Sequence, residues 1–63
     1  MIRPALIVPV NWWRSPQRDT FGVRFSDGVI CEFVFKEVVE LADNTKAELP
    51  AVFSMMRTMN LAL

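Results

Sequence analysis

The triplet Ser26-Asp27-Gly28, set between two alternating apolar runs, constrains this chain more than any other feature. Phe21, Val23 and Phe25 alternate with Gly22, Arg24 and Ser26 before it, and Val29, Cys31, Phe33 and Phe35 alternate after it. That is the two-residue period of strands with one buried face, and the short polar link makes them a hairpin. Its register follows from the loop length that keeps the apolar sets together. A two-residue Asp27-Gly28 turn sets Phe25 opposite Ile30 and Val23 opposite Glu32, which puts a carboxylate among apolar side chains. A three-residue loop, Ser26 to Gly28, sets Phe25 opposite Val29, Val23 opposite Cys31 and Phe21 opposite Phe33, so all six share one flank. The second register is therefore expected, with Gly28 in the left-handed position of a bulged turn, where the lack of a Cβ removes the steric cost. The other flank carries Arg24, Ile30, Glu32 and Val34, and Ile30 and Val34 mark a second contact surface.

Other elements are read around this hairpin. Residues 5 to 10 are apolar and rich in branched side chains, which predicts a strand, and Pro9 assigns it to a sheet edge or a strand end. Asn11 to Asp19 lacks periodicity and contains Asn, Ser, Pro and charges, which predicts a loop with Trp12 and Trp13 at its base. Phe35, Val38, Val39 and Ala42 fall at i, i+3, i+4 and i+7, the spacing of a short helix ending near Asp43-Asn44, although the β-branched valines leave a continued strand as the alternative. Thr45 to Glu48 has the spacing of a capping box, but Pro50 follows too closely, so the last helix is expected to hold Pro50 in its first turn. Val52, Met55, Met56, Met59 and Leu63 then line one face, with Ser54, Arg57 and Thr58 on the other. The expected fold class is α+β: a small antiparallel sheet, made of an N-terminal strand plus a β-hairpin, packed against one or two short helices in a single domain spanning 1–63.

Size bears on function. A domain of 63 residues hides roughly 60% of the surface its chain exposes when unfolded, so it is only marginally stable by itself. Disulfides, metals or partner chains usually supply the remainder. One cysteine, Cys31, cannot bridge within the chain, and there is no histidine. A hydrophobic content of 52% exceeds what so small an interior encloses, which points to a homo-oligomer or another protein as partner. The single thiol, together with the absence of a leader pattern and of an apolar run near the roughly 18 residues of a membrane span, predicts a cytoplasmic protein without a membrane partner.

Charge is divided between the halves. Arg3, Arg14, Arg18 and Arg24 against Asp19 give residues 1–25 a charge of +3, while Lys36, Lys46 and Arg57 against six carboxylates return −3 to the remainder. Such a division draws an anionic partner to the first half or orients one copy against another. Trp12, Trp13, Arg14, Arg18 and Arg24 combine π faces with positive charge, the two components of sequence-tolerant binding to single-stranded nucleic acid. Consecutive residues of an extended segment point to opposite sides, so one tryptophan is expected to be buried and the other available. Glu37, Glu40 and Asp43 share one side of the first helix, which reads as its solvated face.

Catalytic chemistry finds little footing here. No carboxylate pair is placed in a shared apolar pocket, the commonest base near neutral pH is missing, and two glycines, Gly22 and Gly28, cannot build a phosphate-cradling loop. Cys31 belongs to the apolar flank, where a thiol packs as a small hydrophobe. No cofactor and no metal site are expected.

The strand, the loop, the stretch VRFSDGVICEFVF and the helix after it resemble the bacterial domain-of-unknown-function 2442 family, with Phe25, Ser26, Asp27 and Gly28 matching its hairpin signature. That resemblance implies a small α+β protein with no established catalytic residue, and relatives that occur alone or joined to helix-turn-helix domains imply a regulatory context. The leading expectation is a non-enzymatic, self-associating protein-protein interaction module with contacts at Trp12, Trp13, Ile30 and Val34. The alternative is a small nucleic-acid-binding or regulatory protein, of phage or mobile-element proportions, using Trp12, Trp13, Arg14, Arg18 and Arg24.

Overall fold

A computed structural model describes residues 6–61. Its elements run β1 (Pro9–Ser15), β2 (Thr20–Phe25), β3 (Ile30–Val34), α1 (Phe35–Thr45) and α2 (Leu49–Leu61), and the strands form one antiparallel sheet in the order β1-β2-β3. The α+β class is thus the observed one: a three-stranded meander with both helices on one face.

The hairpin adopts the three-residue register. Phe21 pairs with Phe33 and Val23 with Cys31, and Gly28 takes φ +86°. The Phe25 N–H donates to the Val29 carbonyl and the Gly28 N–H to the Phe25 carbonyl, both at 2.9 Å, closing the loop. Five of the six expected side chains pack in or against the core. Val29, lying in the turn just before β3, is exposed.

The first strand is displaced from where the sequence placed it. Instead of residues 5–10 followed by a loop at 11–19, β1 covers Pro9–Ser15, and the connection shrinks to Pro16–Asp19. Ala5 lies outside the described residues. Asn11, Arg14 and Ser15 gave the segment a loop-like composition, but an edge strand needs only one apolar face and a free backbone, and it has both. Pro9, without an N–H, sits at its first position. An extra residue between Pro9 and Asn11 bulges the strand. Upstream of it the chain stays tied to the hairpin loop: Val8 N–H donates to Ser26 Oγ at 2.9 Å and Ser26 N–H donates to the Val8 carbonyl at 2.7 Å.

The core consists of Val23, Phe25, Phe33, Val38, Val52, Phe53 and Met56. Phe53 of α2 is its centre, with Phe21 edge-on at 5.5 Å, Phe33 stacked at 6.2 Å and Trp12 tilted at 5.6 Å. Two helix faces therefore rotate from their expected settings. In α1 the inward set is Val38, Leu41 and Ala42, and Val39 is exposed. In α2 it is Leu49, Val52, Phe53 and Met56, again at i, i+3, i+4 and i+7, with Met55 packed against the core as expected; Met59 is exposed, and Leu63 lies outside the described residues. The stripe through Phe53 wins because a phenylalanine buries more apolar area than the exposed methionine it displaces. Arg57, expected on the solvent side, folds back over the Phe25 ring at 4.7 Å instead. Helix α1 ends at Lys46, in the left-handed conformation (φ +58°), whose N–H donates to the Ala42 carbonyl.

Candidate functional site

Pairing across the three strands lays out the sheet face away from the helices as a grid. Ser15, Thr20 and Val34 form one row; Trp13, Gly22 and Glu32 the next; Asn11, Arg24 and Ile30 the third. Strand alternation assigns the neighbours of these residues, Trp12, Arg14, Phe21, Val23, Cys31 and Phe33, to the helix-covered face.

The two tryptophans are thereby separated. Trp12 points to the helix side and meets Phe53, whereas Trp13 points to the open side and lies over Gly22. Its contact with the glycine is so close that a Cβ on residue 22 would collide with the Trp13 ring. A glycine within a strand usually weakens it, and here it opens the seat in which an aromatic side chain rests. Both indoles keep similar exposure, 38% for Trp12 and 41% for Trp13, so neither is fully buried as the sequence suggested. Ile30 (63% exposed) and Val34 (46%) stand on the same open face as Trp13.

The arginines are divided as well. Arg14 belongs to the helix side: its guanidinium stacks on Phe35 at 4.0 Å, donates to the Ser15 and Thr20 carbonyls and binds Asp19 at 2.7 Å. Asp19 holds a left-handed backbone (φ 54°) that presents its carboxylate to this arginine. Arg18, in the β1–β2 turn, reaches across to Glu32 at 3.0 Å. Arg24 is exposed in the third row and makes no ion pair among the described residues. Thus the open face brings together Trp13, Ile30, Val34 and Arg24, with Arg18 at its margin, and leaves Trp12 and Arg14 on the other side.

An open cleft of roughly 720 Å³ lies at this margin, walled by Trp13, Pro16, Arg18, Ile30 and Glu32. It mixes an indole and an aliphatic side chain with Arg18, paired to Glu32, and Arg14, paired to Asp19. Nothing in it resembles an acid-base or nucleophilic pair, and among the described residues no three His, Cys, Asp or Glu side chains converge as a metal ion would require. Cys31 is half-buried on the helix side against the core. No described helix is long and apolar enough to cross a membrane.

The sequence signal missed at this site is Gly22, whose place inside an alternating strand marks a close approach by another group. Fold and face together define a small α+β domain with one sheet face covered and one open. Compared with family models, curated proteins and solved structures, the chain matches none.

Proposed function

We propose that the protein is a non-enzymatic interaction module that docks another polypeptide on the open face of its sheet. The observation carrying this reading is the asymmetry of the sheet. One face packs against α1 and α2 and holds the core, with Trp12 half-exposed at its edge, and the other presents Trp13, Ile30 and Val34 to solvent. A one-sided antiparallel sheet ordinarily carries polar residues on its wet face, so an indole and two branched aliphatics there mark a contact surface. Aromatic side chains seated in such a surface are typical anchors of protein interfaces.

Nucleic acid is served less well. Phosphate binding draws on uncommitted cations, and here Arg14 is held by Asp19 and Arg18 by Glu32, while the stacking pair Trp12 and Trp13 is split between faces. The test is site-specific photo-crosslinking in living cells, with p-benzoyl-phenylalanine replacing either Ile30 or Val39. Discrete protein adducts are expected from position 30 and not from the helix position. Equal labelling from both, or none from position 30, rejects the reading.

A further inference from the structure

We infer that the occupant of the open face is a second copy of this chain, packed sheet to sheet about a two-fold axis that runs across the strands. This inference rests on the interaction-module reading and adds the partner and the register.

A two-fold axis that turns one sheet face onto its copy must lie in the plane between them. Two settings keep the strands aligned, as packed sheets generally are. An axis along the strands exchanges β1 with β3, and sets Trp13 over Glu32, Asn11 over Ile30 and Arg24 over Arg24, so that every apolar group meets a polar one and two cations coincide. An axis across the strands lays each strand on its own copy and exchanges the outer rows. Ile30 then meets Val34 of the second copy, Val34 meets Ile30, and the two Trp13 indoles meet at the centre over their Gly22 seats. Arg24 falls opposite Thr20 rather than against its own image. Glu32 faces Glu32 near the rim, each carboxylate already balanced by its own Arg18 at 3.0 Å. Only the second setting matches apolar with apolar throughout.

Charge is compatible with the same occupant. With Arg18 and Glu32 cancelling, Arg24 is the one uncompensated charge of the face among the described residues, which offers little hold to a strongly acidic or basic partner and little repulsion to a copy of itself. Three strands spaced about 4.8 Å apart and five or so residues long at about 3.4 Å each give a footprint well below that of a standard interface. A dimer on this footprint is a weak one, which forms toward the upper end of a concentration series.

Sedimentation of the intact protein from micromolar to millimolar concentration reads this out. The expected result is a mass that doubles across the series, abolished by Ile30→Asp and by Val34→Asp and retained in Val39→Asp, with circular dichroism confirming that each variant folds. In a Cys31→Ala background, Ile30→Cys mixed with Val34→Cys should crosslink through a short bismaleimide several-fold more than either variant alone. A wild-type monomer at every concentration overturns the inference; if position 30 still labels another protein in cells, the module reading stands without it. A dimer indifferent to Ile30→Asp, or one in which each cysteine variant crosslinks best to itself, overturns the face or the register.

Discussion

Arg57 grips Asp27 with both prongs of its guanidinium, Nη2 to Oδ2 at 2.6 Å and Nη1 to Oδ1 at 2.9 Å, joining helix α2 to the hairpin loop thirty residues away in sequence. The same arginine lies on the Phe25 ring, and the Val29 N–H donates to Asp27 Oδ1 at 3.2 Å. One carboxylate thus holds the turn closed and fastens it to the helix that covers it.

The hydrogen bonds from Arg57, aided by the Val29 N–H and opposed by partial desolvation, hold the Asp27 carboxyl at a pKa of about 2 against the ordinary 3.8. A folded-state pKa below the unfolded one means stability that is fully present above about pH 4 and is lost as pH falls toward 2. Thermal melts from pH 6 to pH 2 should show wild type losing more than Asp27→Asn over that window. Parallel profiles for the two proteins would show that the pair does not contribute.

Phe53 is fully buried against three aromatic rings. Phe53→Ala should cost about 3–5 kcal/mol, comparable to the whole stability of a domain this size, and leave the chain largely unfolded by circular dichroism. Phe53→Leu keeps most of the volume and should remain folded with a lowered Tm.

The Thr20 hydroxyl is buried without a hydrogen-bond partner among the described residues. Replacing it with valine keeps the branched shape that a strand favours and removes an unsatisfied polar group, so Thr20→Val should raise stability by about 1 kcal/mol in urea titration. A loss of similar size would mean that the hydroxyl has a partner in solution.

Lys46 closes α1 in a conformation that glycine adopts without steric cost. Lys46→Gly is expected to be neutral or to stabilise by up to about 1 kcal/mol, whereas Gly28→Ala, at φ +86°, should destabilise by about the same amount although no described residue lies near its side. The opposite ranking in thermal melts would contradict the assigned conformations.

How much of this was legible in the sequence depended on how local the cause was. The hairpin register was readable because Phe21, Val23, Cys31 and Phe33 share a flank only with a three-residue loop. β1 was not, since its own residues look like a loop and it is a strand only through pairing Trp12 with Val23 and Trp13 with Gly22 across the turn at 16–19. On the helices the periodicity places Met55 against the core correctly but also Met59 and Val39, which are exposed, and the choice of Phe53 as the centre depended on the space the sheet offers. At the candidate site, Ile30 and Val34 followed from alternation alone. The separation of Trp12 from Trp13 was readable in kind, as opposite directions along a strand, but not in which went where. Arg57 escaped because its partner belongs to a loop distant in sequence.

The central claim is that the open sheet face, carrying Trp13, receives another copy, while Trp12 belongs to the helix side. Two single-tryptophan variants divide the signals: Trp12→Phe reports only Trp13, and Trp13→Phe reports only Trp12. Emission of Trp13 should shift to the blue and become harder to quench with acrylamide as protein concentration rises, with Trp12 emission unchanged. A concentration-dependent shift confined to Trp12, or none from Trp13, would contradict the account.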